Sequence, residues 1–210
     1  MKKVVPSTVV ILIYDDDGNQ TAQGSGFIVN EKGEILTNHQ VLRGAVQAKV
    51  KLGDGKQYSI TTILAEDQEG DLILVKACIP NDKIFPLQLS ESIPELGETV
   101  VVVGSPLGLE NTVSEGIVSA VRDIPAFGKI IQISASISPG SSGSPVVNGK
   151  GEVVGVATFQ FTEGQNLNFA IPSERIKNLK TGAGKSFADW IKGTKPDNLS
   201  TAENLYSLGS

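Results

Sequence analysis

One segment of the chain places a serine between small residues in a form that suits a nucleophile. It reads Pro139-Gly140-Ser141-Ser142-Gly143-Ser144-Pro145 and is flanked by apolar runs typical of strands. Glycine permits positive φ, which lets the backbone N–H groups of Gly140 and Ser142 converge on a developing oxyanion. A glycine-serine turn that merely joins two strands would look the same, so this segment alone leaves both interpretations open.

Two further segments hold groups that could activate such a serine. Gly70-Asp71-Leu72-Ile73-Leu74-Val75 places a carboxylate at the mouth of an apolar strand, where it can orient an imidazole, although an Asp that caps a turn is commoner. Gly33-Glu34-Ile35-Leu36-Thr37-Asn38-His39-Gln40-Val41-Leu42 contains the one histidine. In chain order the segments give a histidine region, an Asp and a Ser, which is the order of a chymotrypsin-type triad.

The composition excludes several other kinds of protein. The 210 residues carry 18 Lys+Arg and 23 Asp+Glu, and the net charge of -5 favours neither nucleic acid nor an anionic membrane as a partner. One Cys cannot form an internal disulfide and one His excludes a His-rich metal site, so we expect no metal and no cofactor. The longest apolar runs have about six residues, against the roughly 20 of a spanning helix, so we expect no membrane span.

The elements that must position these segments are short strands. β-branched runs alternate with Gly, Pro, Asn and Asp clusters, and the runs are Thr8–Tyr14, Gly26–Val29, Ala48–Val50, Ile60–Leu64, Leu72–Ala77, Thr99–Val103, Gly116–Val121, Ile130–Ile133, Pro145–Val147, Val153–Phe159 and Asn168–Ile171. A spacing of about ten residues indicates an all-β barrel or sandwich. Helical patterns occur only near the end, in a stretch that Ser173 would cap and in a second from about Ser186 to Lys192.

The three segments together resemble the catalytic segments of HtrA (Deg)-type trypsin-like serine proteases. Other motifs extend the resemblance over about residues 5–180, and they are Gly24-Ser25-Gly26-Phe27-Ile28-Val29, Gly104-Ser105-Pro106-Leu107-Gly108-Leu109, Thr112-Val113-Ser114, Gly116-Ile117-Val118-Ser119, Gly155-Val156-Ala157-Thr158 and Phe169-Ala170-Ile171-Pro172. The resemblance implies an all-β fold of two six-stranded antiparallel β-barrels, at residues 5–90 and 91–180, with C-terminal helices. It also implies an endopeptidase that acts on unfolded or extended proteins in the periplasm or another extracytoplasmic compartment.

Residues 181–210 are expected to form a helical tail and linker. The last segment, Ala202-Glu203-Asn204-Leu205-Tyr206-Ser207-Leu208-Gly209, is similar to the opening of a tetratricopeptide repeat. Repeats of this kind after residue 210 would recruit a protein partner.

Carried over residue by residue, the resemblance implies a role for each polar group of the site. Ser142 falls on the nucleophile and Asp71 on the residue that orients the base. Gly140, Ser141 and Ser142 would form the oxyanion hole. Trypsin relatives that are activated by N-terminal cleavage have an Asp immediately before the nucleophile, where this chain has Ser141. We therefore expect no activation through a buried salt bridge to a new N-terminus.

The chain departs from the family pattern at the general base. That pattern is Thr-Asn-any-His-Val, and Thr37-Asn38 and Val41 match it. His39 then falls on the variable position and Gln40 on the catalytic one. Gln can hydrogen-bond to a serine hydroxyl but cannot take its proton, and loss of the base can cost on the order of 10⁶ in kcat. We therefore expect an inactive or strongly impaired site.

Two alternatives stay open at this point. A shift of one residue would make His39 the base, but neighbours in the helical turn expected after Thr37 point about 100° apart, so His39 would face away from Ser142. We expect His39 to be an exposed polar residue beside the cleft. The other alternative is a pseudoprotease that grips an extended peptide by strand addition and serves as a binding or scaffolding module.

The substrate pocket is inferred from the same resemblance. Its walls would be Ser136, Thr158, Phe159, Gln160 and Asn168, none of which is acidic. A preference for Lys or Arg is therefore not expected. Asn168 stands where the family usually has a small residue, which would make the pocket shallow and favour small aliphatic side chains.

Overall fold

The computed structural model of the chain describes residues 3–104, 112–125, 127–158 and 168–194. In this part of the chain the strands are β1 (Thr8–Tyr14), β2 (Gln20–Ile28), β3 (Glu34–Thr37), β4 (Gln47–Lys51), β5 (Gln57–Asp67), β6 (Leu72–Ala77), β7 (Thr99–Gly104), β8 (Thr112–Ile124), β9 (Gly128–Ile133), β10 (Pro145–Val147), β11 (Val153–Thr158), β12 (Asn168–Pro172) and β13 (Lys185–Ser186). The helices are α1 (Val4–Ser7), α2 (Ser173–Lys177) and α3 (Phe187–Gly193), and short 3₁₀ turns lie at His39–Leu42 and Asn81–Lys83.

The first six strands form a closed antiparallel barrel. Pairing runs in the order β5-β4-β1-β2-β3-β6, and β6 pairs back onto β5 to close the ring. Val9, Ile11 and Ile13 alternate along β1 and are buried in one apolar cluster, as the two-residue period of a strand requires. Strand β13 adds to β5, and Phe187 and Trp190 of α3 complete the cluster.

Strands β7 to β12 form the second closed barrel. They pair in the order β10-β11-β12-β9-β8-β7 and are antiparallel throughout. The interior is filled by small and β-branched apolar side chains, among them Val100, Ile131, Ile133 and Val146. The β-branched residues that marked these strands in the sequence are therefore the residues that fill the barrel.

A third apolar cluster lies between the two barrels. Phe27 and Leu36 of the first barrel pack in it with Val103 and Val156 of the second, and all four are fully buried. Burial of each such side chain stabilises the fold by about 1.5–3 kcal/mol. The cluster fixes one barrel against the other, so residues from both can build one rigid site.

The expected fold class, two six-stranded antiparallel β-barrels with C-terminal helices, is confirmed. Two strands, β3 and β13, were not expected. The residues of β3 lie in the segment that was considered for its histidine rather than as a strand, and β13 has only two residues, too few for a periodic signal. The expected cap at Ser173 is wrong. Ser173 is the first residue of α2 and donates its hydroxyl to the Ser90 carbonyl, whereas Ser186 caps α3 by accepting from the Asp189 N–H.

No helix within the described ranges is long and apolar enough to cross a membrane. The segment that is similar to a tetratricopeptide repeat, residues 202–209, lies outside the described residues. It stays a prediction, as do the domain boundaries at 90 and 180.

Candidate active site

The predicted nucleophile lies on a tight turn between β9 and β10. The N–H of Ser141 donates to the Ser138 carbonyl at 2.9 Å, and Gly140 has a φ of 93°. With Pro139 in the second position, this is the residue pattern of a type II β-turn, whose third position needs the positive φ that glycine tolerates. We refer to residues 138–144 as the nucleophile turn.

Both barrels hold the nucleophile turn through its backbone. The carbonyl of Gly140 accepts a hydrogen bond from Ser25 Oγ at 2.7 Å, and the carbonyl of Ser142 accepts one from Ser25 N at 2.9 Å. The N–H of Gly143 donates to the Ala157 carbonyl at 2.9 Å. Strand β2 of the first barrel and strand β11 of the second therefore fix the turn from two sides.

Two N–H groups of the nucleophile turn differ from the others in lacking a hydrogen-bond acceptor in the part of the chain that the structure describes. They are the two that the resemblance assigned to an oxyanion hole. Within the described residues, the N–H groups of Gly140 and Ser142 have no acceptor, while those of Ser141, Gly143 and Ser144 do. Backbone donors in folded proteins are nearly always paired with protein or water. These two donors are thus available to an oxygen atom of a ligand, as oxyanion stabilisation requires.

Gly143 is needed for this close approach of the barrels. Its φ is 89°, and a β-carbon at this position would lie 2.0 Å from the Ser25 carbonyl oxygen and 2.4 Å from Thr37 Oγ1. Thr37 Oγ1 itself donates to the Ser25 carbonyl at 2.7 Å. A side chain at residue 143 would have to displace this buried hydrogen bond, so only bare backbone fits.

Gln40 lies on the 3₁₀ turn His39–Leu42, which we refer to as the base turn. The backbone N–H of Gln40 donates to Asp71 Oδ1 at 2.8 Å, and its Nε2 donates to Asp71 Oδ2 at 2.9 Å. An ionised carboxylate only accepts hydrogen bonds, so the amide nitrogen and not the amide oxygen must face it. Gln40 therefore presents a neutral amide beside the predicted Asp.

Thr158 of the second barrel joins the same cluster. Its Oγ1 donates to Asp71 Oδ2 at 3.1 Å and accepts from Gln40 Nε2 at 3.2 Å. Asp71 is only 4% exposed, and a buried carboxylate needs such donors because burial of an unpaired charge is costly. The hydroxyl of Thr158, expected in the wall of the substrate pocket, is thus directed to Asp71 and Gln40.

The backbone of Asp71 adopts an unusual conformation. Its φ of 52° lies in the left-handed region, which residues other than glycine rarely adopt. The Asp71 carbonyl accepts from the His39 N–H at 3.1 Å and from Asn38 Nδ2 at 3.0 Å. Asn38 is fully buried. The His39 N–H and the Asn38 side chain therefore fix the backbone of Asp71, and with it the direction of the Asp71 carboxylate.

The side chain of His39 contacts different residues from that of Gln40. Its Nε2 lies 3.3 Å from Glu66 Oε2, within ion-pair reach but without hydrogen-bond alignment, and its ring packs edge-on against Trp190 at a centroid distance of 5.8 Å. Successive side chains of a 3₁₀ turn are about 120° apart, which separates the two residues. The expectation of an exposed His39 is wrong: its side chain is 14% exposed because Trp190 and Glu66 pack on it.

The surroundings of His39 favour the neutral imidazole. Burial lowers the pKa of His39 below its ordinary value of 6.5, because the imidazolium loses its hydration. The Glu66 carboxylate raises the pKa of His39 but does not outweigh burial. Glu66 Oε2 is also held by Trp190 Nε1, which donates to it at 2.8 Å.

The residues expected to wall the substrate pocket have separate surroundings in the described chain. Asn168 Nδ2 donates to the Ala135 carbonyl at 2.9 Å. Ser136 is exposed and lines a cavity of about 260 Å³, together with residues of β7, β8 and the nucleophile turn, none of them charged. Phe159 and Gln160 lie outside the described residues.

Three polar residues of the site were not identified as such from the sequence. Ser25 and Asn38 lie inside motifs that carried the resemblance, but each acts by a hydrogen bond to a backbone carbonyl distant in the sequence. Glu66 lies at the end of β5, where it contacts His39 and accepts a hydrogen bond from Trp190 Nε1. The one sequence signal for any of them was the position of Ser25 between two glycines.

Comparison with known proteins agrees with this geometry. A family model described as a trypsin-like peptidase domain matches residues 24–156, more than half of the chain. Serine protease HTRA1A of Danio rerio is 38% identical over 192 residues, which cover 85% of this chain and 39% of that protein. The anti-sigma-I factor RsgI9 of Acetivibrio thermocellus is 33% identical over 188 residues, which cover 89% of this chain and 24% of that protein.

A solved structure has the same fold. The crystal structure of the serine endoprotease from Yersinia pestis matches with a TM-score of 0.74 and 29% sequence identity, over 84% of this chain and 62% of that chain. The chain spans less than half the length of the curated relatives described above. The chain therefore belongs to the trypsin-like peptidase family, and HtrA serine proteases are among its relatives.

Proposed function

We propose that the domain binds extended peptides as an HtrA-type protease does, but that peptide-bond hydrolysis is abolished or strongly impaired at Gln40. The observation that carries this proposal is the hydrogen bond from Gln40 Nε2 to Asp71 Oδ2, at 2.9 Å. An imidazole in this place has a second nitrogen that can take the proton of the serine hydroxyl. The single nitrogen of the amide already donates, and an amide oxygen is not basic enough to take a proton near neutral pH.

The remaining parts of the site support a binding role. The N–H groups of Gly140 and Ser142 have no acceptor in the described chain, so a substrate carbonyl can use both. The cavity beside Ser136 is lined by hydroxyl and small apolar groups, which suits small uncharged side chains. A domain similar to this one also forms part of a protein named for anti-sigma factor activity, which is consistent with regulatory binding.

Catalysis by His39 is the less favoured alternative. Its imidazole packs on Glu66 and Trp190, and the base turn would have to be rebuilt to bring it to Ser142. Residue 39 also donates its backbone N–H to the Asp71 carbonyl, so rebuilding the turn would disturb Asp71 as well.

The test compares the parent chain with Gln40→His, using casein hydrolysis and fluorophosphonate labelling of Ser142. We expect hydrolysis and labelling in the Gln40→His variant alone, and the Gln40→His/Ser142→Ala double variant is the control for contaminating protease. Equal activity in the parent chain would contradict the proposal, and loss of that activity in His39→Ala would then assign the base to His39. Binding is measured in the parent chain by fluorescence anisotropy of an extended casein peptide.

A further inference from the structure

We infer that Ser25 is a positioning residue for the oxyanion hole, a hydroxyl of the first barrel that sets the nucleophile turn of the second. This inference rests on the proposed function, because it concerns how the peptide-binding site of that proposal is held. Ser25 lies on β2 and is fully buried. Its Oγ and its backbone N–H bond to two different carbonyls of the nucleophile turn.

The peptide unit that joins Gly140 to Ser141 is held at both ends. Its carbonyl accepts from Ser25 Oγ at 2.7 Å, and its N–H donates to the Ser138 carbonyl at 2.9 Å. Because a peptide unit is planar, two such bonds on opposite edges prevent its rotation.

The peptide unit that joins Ser142 to Gly143 is held in the same way. Its carbonyl accepts from Ser25 N at 2.9 Å, and its N–H donates to the Ala157 carbonyl at 2.9 Å. Along the turn, peptide units that are fixed by two hydrogen bonds therefore alternate with peptide units whose N–H has no acceptor in the described chain. The N–H groups without an acceptor are those of Gly140 and Ser142.

The held unit between Gly140 and Ser141 determines how the two available N–H groups are arranged. Its rotation would change ψ of Gly140 and φ of Ser141, which are torsions on the chain path between those two N–H groups. The Ser25 hydroxyl therefore sets the distance and angle at which both donors meet one oxygen. Oxyanion stabilisation depends on such preorganised donors, because they need no rearrangement during the reaction.

Ser25 Oγ makes the side-chain hydrogen bond among those that fix the two peptide units. Of the four bonds that hold the two units, the other three join backbone to backbone and survive substitution. The hydroxyl also lies in a confined place, since a β-carbon on Gly104 would be 3.3 Å from it. Solvent does not reach Ser25, so we expect no water to replace a deleted hydroxyl.

The test uses Ser25→Ala and two peptide probes of the same sequence. A peptidyl boronic acid bonds reversibly through boron to Ser142 Oγ, with the hydroxyl proton lost to water, and forms a tetrahedral anion that needs the oxyanion hole. Its affinity is measured at equilibrium after long incubation, because loss of the base slows the formation of this bond. The matching peptide carboxamide binds the cleft without forming this bond. Ser173→Ala is the matched control, because Ser173 is 2% exposed and donates to the Ser90 carbonyl at 3.2 Å, with its partner outside the nucleophile turn.

We expect Ser25→Ala to weaken boronate binding by about 10- to 100-fold, somewhat less than the loss of a whole oxyanion donor. Carboxamide affinity should fall much less, by no more than about threefold, because a neutral carbonyl gains less from the two donors than the boronate anion does. Ser173→Ala should leave both affinities unchanged. Equal boronate affinity in Ser25→Ala and the parent would overturn the inference, as would an equal loss for both probes, which indicates general disorder of the cleft.

A different result separates this inference from the proposed function. If the parent chain binds neither probe, the proposed function fails, and Ser25 is then tested in the Gln40→His background by the rate of fluorophosphonate labelling. Labelling slowed about tenfold or more by Ser25→Ala supports the positioning role. Unchanged labelling, or a Gln40→His variant that does not label at all, overturns it.

Discussion

The nucleophile turn and the base turn are built by different means. The nucleophile turn is held mainly by backbone hydrogen bonds from both barrels, and Gly143 leaves no room for a side chain. The base turn depends more on side chains: besides the backbone bond from His39 to Asp71, the Asp71 carboxylate binds both the backbone and the side chain of Gln40. A change of residue type therefore alters the geometry of the first turn but alters mainly the chemistry of the second.

This difference explains how a glutamine at position 40, where we propose that the general base would lie, is compatible with the structure. Gln40 satisfies Asp71 and Thr158 through hydrogen bonds of 2.9 and 3.2 Å. The fold requires only a donor in this position, whereas catalysis also requires a proton acceptor with a pKa near the working pH. Hydrogen bonding and proton transfer are separable demands, and stability depends on the first alone.

The largest effect is expected from Gly143→Ala, which tests whether backbone sterics hold the nucleophile turn. The added methyl group would lie 2.0 Å from the Ser25 carbonyl at a φ of 89°, so the barrels must move apart. We expect the free energy of unfolding to fall by about 4 kcal/mol or more, measured by urea denaturation. The control is Gly149→Ala, where a β-carbon meets nothing within 4 Å, with a change within about 1 kcal/mol. Similar stability of both variants would remove the steric argument.

A smaller effect is expected from Trp190→Ala, which tests the side chains behind the base turn. Trp190 is 4% exposed, lies in the core of the first barrel, and donates to Glu66 Oε2 at 2.8 Å. Truncation of a buried Trp costs about 3–5 kcal/mol, which thermal or urea unfolding would detect. Trp190→Phe keeps most apolar contacts and loses the hydrogen bond, so we expect about 1–2 kcal/mol. If Trp190→Ala costs no more than Trp190→Phe, α3 does not stabilise this part of the barrel.

Thr158→Val is expected to have a still smaller effect and tests the link between the barrels at Asp71. Valine keeps the volume but removes the hydroxyl that donates to Asp71 Oδ2 at 3.1 Å. A hydrogen bond to a charged group contributes about 1.5–3 kcal/mol, and we expect a loss of this size in urea denaturation at pH 7. Thr61→Val on the exposed side of β5 is the control, with a change within about 0.5 kcal/mol. Equal losses in the two variants would mean that Asp71 does not rely on Thr158.

The sequence predicted the fold because its strands carry local signals. Thr8–Tyr14, Leu72–Ala77 and Pro145–Val147 have the expected bounds, since each is an apolar run between turn residues. The 3₁₀ turn at His39–Leu42 and the helices at the end were also expected. The sequence pattern could not indicate β13, because its two residues form a strand only by pairing with β5.

The site was predictable only where a motif is local. The pairing of position 40 with Asp71 follows from two short motifs, whereas the partners of His39 do not. Glu66 and Trp190 are 124 residues apart in the chain, and the helix that carries Trp190 contacts β5 through tertiary packing, which no local motif indicates. Thr158 and Asp71 are 87 residues apart and were assigned to different parts of the site for the same reason.

The smallest expected effect is a pH dependence that comes from His39 and marks it as a buried residue of the base turn. Burial holds its pKa in the folded chain below the ordinary value of 6.5, so the unfolded chain binds more protons just below that pH. The free energy of unfolding is therefore unaffected by His39 above about pH 6.5 and falls as the pH decreases toward the folded pKa. Because the chain has one histidine, His39→Gln should reduce the loss of stability between pH 7 and pH 5, measured by urea denaturation. Identical pH profiles would show that the pKa of His39 is the same in the folded and the unfolded chain, which would contradict the prediction. A reduced slope would show that the folded base turn favours the neutral imidazole, as the burial of His39 predicts.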